Sequence, residues 1–192
     1  MSLKRFPPVL CLLAACFFMI PSLEAAPRRR AGGFRQGYEF NPYLTFTDFD
    51  SKSEIEDEIG VGFRFGYLYN TNHEIEFLFN GVSTNDEFLP SDTVDVSQFQ
   101  VAYVFNFTSH DVVPYFTAGV GFMHVDDSDL GDETNPVFGV GGGVRFFFGP
   151  VVYARFELRH NMFEGDGTVF VNNEDFSYNE VAFGFGWRLP SY

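Results

Sequence analysis

An eight-stranded, antiparallel, up-and-down transmembrane β-barrel is the all-β fold that this sequence predicts, and three observations predict it. Beyond residue 37, apolar and polar residues alternate with a period of two in eight successive segments. The connections between those segments are alternately short and long. Every second segment closes on a pair of same-face aromatic residues, and the pair recurs about every forty residues.

The segments are 38–49, 58–69, 73–83, 95–107, 113–125, 136–148, 151–162 and 175–189. In the second, Ile59, Val61, Phe63, Phe65, Tyr67 and Tyr69 share one face, and Gly60, Gly62, Arg64, Gly66 and Leu68 the other. The seventh sets Val152, Ala154, Phe156 and Leu158 against Val151, Tyr153, Arg155, Glu157 and Arg159. The eighth sets Val181, Phe183, Phe185, Trp187 and Leu189 against Glu180, Ala182, Gly184, Gly186 and Arg188. No stretch after residue 25 approaches the roughly 18–20 consecutive apolar residues of a membrane helix.

Short connections fall at Asn70–Asn72, Thr108–Val112 and Gly149–Pro150, and long ones at 50–57, 84–94, 126–135 and 163–174. Alternate connections of a meander lie at the same end, so one rim is tight and the other long-looped. Counted to the strand edges, the long-looped rim takes 19 of the 26 acidic residues. Tight periplasmic turns opposite long external loops are the arrangement of outer-membrane barrels. The aromatic pairs Tyr67/Tyr69, Phe105/Phe107, Phe146/Phe148 and Phe185/Trp187 all fall at the tight rim, which predicts a girdle at the membrane interface.

Alternation alone does not say which face is inside. Glycine does: Gly60, Gly62, Gly66, Gly119, Gly121, Gly139, Gly141, Gly143, Gly184 and Gly186 all fall opposite the apolar face. Glycine weakens a strand that faces water. In a narrow barrel interior it makes room for long neighbours. The same face carries Arg64, Arg145, Arg155, Arg159 and Arg188 against Glu74, Glu76, Glu157 and Glu180. Those arginines are five of the six Lys and Arg residues after position 37, Lys52 being the other. Such concentration predicts a confined lumen where guanidinium and carboxylate pair, and lipid on the apolar face.

Residues 1–26 read as a signal peptide. Lys4 and Arg5 are basic, Val9–Ile20 is apolar, and Ala25-Ala26 offers small residues for cleavage. Leu13-Ala14-Ala15-Cys16 also resembles a lipobox, and both processing routes imply export. Cys11 and Cys16 both lie here, so residues 27–192 hold no disulfide and no thiol nucleophile. Residues 27–37 read as a basic, glycine-rich linker, and 38–192 as the barrel. A net charge of −14 argues against a nucleic-acid partner.

Three stretches now carry a resemblance: Pro114–Gly121 (PYFTAGVG), Phe138–Phe146 (FGVGGGVRF) and Gly184–Leu189 (GFGWRL). They are similar to the outer-membrane β-barrel domain family of OmpA-like and opacity-type proteins, over about residues 38–192. The resemblance implies a bacterial outer-membrane location. It also implies a C-terminal β-signal for the barrel-assembly machinery, with Gly184, Trp187 and Leu189 at its glycine, aromatic and final positions. Ala182 stands where that signal usually has a polar residue.

Candidate chemistry is sparse. The lumen charges suit either a gate or proton path, or strand register and plugging; at eight strands the interior is just wide enough for side chains, which favours the second. Phe156–Asn161 resembles the late strand of lipid A 3-O-deacylases, small barrels with an outward His–Ser–Glu site. His160 is placed for it, but Met162 stands where the serine belongs, and a thioether cannot be activated by a base. Only Ser177 or another loop hydroxyl is left to replace it. Residues 126–133 (DDSDLGDE) look like a calcium loop without EF-hand spacing. The acidic rim is an alternative place for Ca²⁺ or Mg²⁺ shared with lipopolysaccharide phosphates.

The expectation is therefore a non-enzymatic outer-membrane barrel without cofactor or resident metal. It contributes to envelope integrity or presents four acidic loops outward. Its expected partners are outer-membrane lipid and lipopolysaccharide, and the assembly machinery during biogenesis, with an external partner the residues do not name. A lipid-modifying enzyme of the outer leaflet and a narrow channel are the alternatives.

Overall fold

The computed structural model describes residues 36–49, 58–85, 93–108, 110–127, 131–164 and 175–190. The expected signal peptide, nearly all of the expected linker, and most of the connections at 50–57, 84–94 and 163–174 lie outside the described residues.

All eight segments are strands: β1 (Gly37–Phe49), β2 (Glu58–Leu68), β3 (His73–Asn85), β4 (Thr93–Asn106), β5 (Val112–Asp127), β6 (Gly131–Phe147), β7 (Val152–Glu164) and β8 (Asp175–Pro190). Each pairs antiparallel with its sequence neighbours, and β1 pairs with β8, from Tyr38 opposite Leu189 to Phe49 opposite Tyr178. Closure leaves no sheet edge, the condition for strands to cross hydrocarbon, where unpaired amides cost several kcal/mol each. The alternation places the faces as the glycines require. On β2, Ile59, Val61 and Phe65 are exposed while Arg64 and Leu68 are about 1% exposed.

The tight turns are held locally. Asn70 Oδ1 accepts from the amides of Asn72 (2.9 Å) and His73 (3.0 Å), an Asx-type turn. Asn72 Nδ2 in turn donates to the Asn106 carbonyl at 2.8 Å, tying this turn to the end of β4. At Gly149–Pro150, Phe148 N donates to Val152 O at 3.0 Å.

One expectation fails. Residues 126–135 are not a long loop, because β5 runs to Asp127 and β6 begins at Gly131, leaving 128–130 as the link. The ladder continues through Asp126 opposite Asp132 to Asp127 opposite Gly131. Above the membrane a strand has water on its outer face, so Asp132 and Thr134 give no apolar alternation to read. Gly131, where β6 begins, has φ +105°, a left-handed conformation that glycine adopts without steric cost.

The interior is layered. Toward the long-looped rim, Val82, Val96, Met123, Val125, Val137, Phe163, Phe176 and Tyr178 point inward and form an apolar layer. At its top Phe163 stacks on Phe176 with centroids 5.5 Å apart. Below it come the charged residues. Near the tight rim Val113, Phe147 and Tyr153 close the other end.

Three inward tyrosines lie across the ladder from three inward glycines: Tyr43 from Gly62, Tyr115 from Gly143, Tyr153 from Gly186. Each ring covers its glycine so closely that a Cβ there would collide with it. The glycines therefore give the rings room to lie flat against the wall. Above those rings sit the guanidinium groups.

Candidate functional site: a neutralised lumen

Every arginine and glutamate assigned to the interior is there and buried: Arg64, Arg145, Arg155, Arg159 and Arg188, with Glu74, Glu76, Glu157 and Glu180. Sequence reading missed two inward acids, Glu39 on β1 and Glu133 on β6, each about 1% exposed, and of these Glu39 joins the set. Its signal was available, since Glu39 stands between the outward Tyr38 and Phe40. With it the ion network holds five arginines and five glutamates, and Glu133, a sixth inward glutamate, lies above it toward the long-looped rim.

Two carboxylates organise the set. Glu157 accepts from Arg64 Nη2 at 2.9 Å, Arg159 Nε at 3.0 Å, Arg155 Nη2 at 2.6 Å and Tyr115 Oη at 2.6 Å. Glu76 takes Arg155 on both oxygens, Nη1 on Oε1 and Nη2 on Oε2 at 3.0 Å, the bidentate fork geometry. Arg145 links Glu74 (2.9 Å), Glu76 (3.2 Å) and Glu39 (3.4 Å), and also donates to Asn106 Oδ1 at 2.7 Å. Glu39 is further held by Tyr153 Oη at 2.7 Å and Arg188 Nε at 2.5 Å. Arg159 reaches Gln100 at 2.7 Å, and Gln100 reaches Asn161 at 2.9 Å. Glu180 lies across the ladder from Arg159 and accepts from Asn80 at 3.0 Å.

Rings support the cations. The Arg64 guanidinium lies 3.9 Å from the Tyr43 centroid, and those of Arg155 and Arg145 lie 4.5 and 4.7 Å from Tyr115. Oxygens of Glu39, Glu74 and Glu76 come within 4.8 Å of one another, a spacing a metal ion can bridge. Arg145, in contact with all three, already supplies the positive charge there. Chemically the set is a cross-brace: it ties β1, β2, β3, β6, β7 and β8 together and fills the bore. The space left beside Tyr43, Gln98, Arg159 and Glu180 admits no water-sized sphere.

The exterior aromatics Tyr67, Tyr69, Phe105, Phe107, Phe146, Phe148, Phe185 and Trp187 all lie on the outer face at the tight-rim end of the even strands. Phe105 and Phe107 meet edge to face at 5.2 Å, and Tyr67 packs on Tyr38 at 5.3 Å. His73 joins them, stacked on Tyr69 at 5.5 Å and bonded through Nδ1 to the Tyr103 hydroxyl.

His160 is outward and half-buried, and its Nδ1 bonds Asn179 Oδ1 at 3.0 Å across the ladder. Ser177 faces Met162 instead. The geometry thus couples the imidazole to an amide and not to a hydroxyl, and an amide is no nucleophile. Replacing His160 by alanine is expected to leave the release of fatty acid from purified lipopolysaccharide at background, as for the unchanged protein. Release that depends on His160 would establish a hydrolase. In the acidic hairpin, Asp126 and Asp132 face outward, whereas Glu133 turns inward and takes Asn135 Nδ2 at 2.5 Å, so these three acids do not converge on one point; 128–130 lie outside the described residues.

The sequence model of the outer membrane protein beta-barrel domain family matches residues 10–188. No curated protein sequence matches the chain. Among solved structures, Neisserial surface protein A superposes with a TM-score of 0.63 at 16% identity, covering 80% of this chain and 97% of that one. The N-terminal β-barrel domain of Pseudomonas aeruginosa OprF gives 0.54 at 12% identity, over 79% and 97%. Ail, the attachment invasion locus protein of Yersinia pestis, gives 0.51 at 15% identity, over 80% and 97%, in its complex with the heparin analogue sucrose octasulfate. At such identities the likeness is one of fold.

Proposed function

Because the chain belongs to the outer membrane protein β-barrel domain family and resides in the bacterial outer membrane, we propose that it works there as a closed, non-enzymatic barrel. Its tasks in this reading are envelope integrity and presentation of the acidic outer rim. The observation that carries the reading is the filled bore, in which five buried arginines are packed among buried glutamates under a layer of mostly apolar side chains. An ion entering would have to displace charge-assisted hydrogen bonds and pass a closely packed layer of mostly apolar side chains. Each step is costly in a low-dielectric interior.

Charge also bears on the external partner. The heparin analogue bound to Ail is a polyanion. A chain of net charge −14, whose outer rim exposes Asp95, Asp126 and Asp132, repels such a ligand. A cationic surface, or an anionic one bridged by divalent ions, is the complementary class.

Planar-bilayer recording tests the closed bore. The purified barrel is expected to give no discrete conductance steps. Regular steps that vanish on exchanging Arg155 or Glu76 would make it a channel instead. Binding of the intact protein to polycationic and to heparin-coated beads tests the charge argument, with retention on heparin as the contrary result.

A further inference from the structure

The outer wall between β2 and β5 carries an open groove of about 560 Å³, within the range of small-ligand sites. Register explains its shape. Phe63, Phe79, Phe99 and Phe122 lie side by side across four strands as an aromatic shelf. One row nearer the outer rim the same strands present Val61, Gly81, Ser97 and His124. At Gly81 an added Cβ would meet no atom within 4 Å, so the wall is recessed there. A further row up, Asp95, Asp126 and Asp132 stand opposite one another on the outer face.

Depth fixes what surrounds the groove. Gly81 is eight residues up β3 from His73 at the girdle. At ~3.3 Å per residue and a tilt near 40°, that is about 20 Å along the barrel axis. The apolar band of such barrels is about 25 Å tall. The groove thus opens into the outer leaflet just beneath its polar boundary, and the aspartate row sits at that boundary. Its surroundings are acyl chains, and its polar end differs from ordinary hydrocarbon-facing wall. Ser97 offers a hydroxyl. His124 spends Nδ1 on Thr134 Oγ1 at 2.9 Å, which leaves Nε2 for another bond.

We propose that this groove holds one 3-hydroxyacyl chain of a lipopolysaccharide molecule in the outer leaflet. The chain lies over Gly81 against the phenylalanine shelf, and its hydroxyl is received by Ser97 and His124. A plain acyl chain fills the same apolar space but leaves those two polar side chains without the extra partner. The proposal rests on the barrel's seat in the outer membrane, and not on what its outer rim binds.

Native mass spectrometry of the refolded mature barrel, with hexa-acylated lipid A and dimyristoyl phosphatidylcholine offered together, is the test. The unchanged protein is expected to retain one lipid A molecule at least tenfold in preference to the phospholipid. Gly81→Phe places a ring in the recess without a backbone collision; it is expected to keep the heat-modifiable band of a folded barrel and lose the retained lipid A. Ser97→Phe fills the groove from β4 and is expected to do the same, which guards against a folding defect in either variant alone. Ser97→Ala combined with His124→Phe should bind the two lipids equally. Undiminished lipid A in the two phenylalanine variants overturns the site. Equal retention of both lipids by the unchanged protein overturns the hydroxyacyl assignment. A protein dimer that the phenylalanine variants abolish would give the groove to a second copy of the chain.

Discussion

Glu157→Ala is expected to lower the stability of the barrel by about 3–5 kcal/mol, read from the urea midpoint of reversible folding into lipid vesicles. Four donors converge on this carboxylate: Arg64, Arg155, Arg159 and the Tyr115 hydroxyl. Its removal takes a counter-ion from three buried arginines at once. Arg64, itself about 1% exposed, loses its only ion pair among the described residues. A buried charge left without its counter-ion costs more than the pair contributes, which is the asymmetry the variant reads. Glu157→Leu together with Arg159→Leu removes one charge of each sign and is expected to cost less than the two single changes summed, by about 0.5–3 kcal/mol. A midpoint within about 0.5 kcal/mol of the unchanged protein for Glu157→Ala would mean that water reaches these groups and the bore is open.

How much of this was legible beforehand follows from what each layer of the barrel presents to its surroundings. Through the membrane the outer face meets only hydrocarbon and the inner face only side chains. Chemistry alternates there residue by residue, as from Ile59 to Leu68, and both strand and face can be read. Beyond the hydrocarbon the outer faces of β5 and β6 turn polar at His124, Asp126, Asp132 and Thr134, the inner faces mix Val125 with Glu133, and the alternation that marks a strand lower down is lost. The apolar layer of Val96, Met123, Val125 and Val137 was missed for the related reason that an apolar residue facing inward reverses the rule used lower down. Glu39 is hard to read because the inner face of β1 carries Asn41, Tyr43, Thr45 and Thr47 but no arginine to mark it as part of a charged lumen.

Pairing itself was not legible. Parity states that Glu76 and Arg155 face the same interior; it does not say that they bridge β3 to β7 across the bore. That depends on the stagger of the closed ladder, in which Arg145 stands opposite Arg155 in register. These two like charges share one level, and Glu76, reached by both, separates them. The tyrosine–glycine pairs are a similar case. Composition announced surplus glycine, while only the register showed that Tyr43, Tyr115 and Tyr153 are what the glycines accommodate.

Arginine substituted along the outer face of β7 is expected to give a cost that peaks at Phe156. Phe156 is outward, between Val144 on β6 and Phe183 on β8. It stands four residues above Val152 near the tight rim, about 10 Å along the axis and close to the middle of a ~25 Å apolar band. Phe156→Arg should therefore cost about 2–4 kcal/mol in the same vesicle titration. Val152→Arg and His160→Arg, toward the two boundaries, should cost about 0–1 kcal/mol, because their guanidinium groups can reach the headgroups. The neighbouring Arg155→Phe tests the other face. It strips Glu76 and Glu157 of a partner, and its cost belongs to that ion network and not to depth. The contrast is qualitative as well: an outward arginine is relieved by a thinner bilayer, which brings the headgroups nearer, whereas the unpaired lumen carboxylates are not. A flat profile along Val152, Phe156 and His160 would mean that this face does not look into lipid, and the orientation on which the filled bore and the outer-leaflet groove both depend would be reversed.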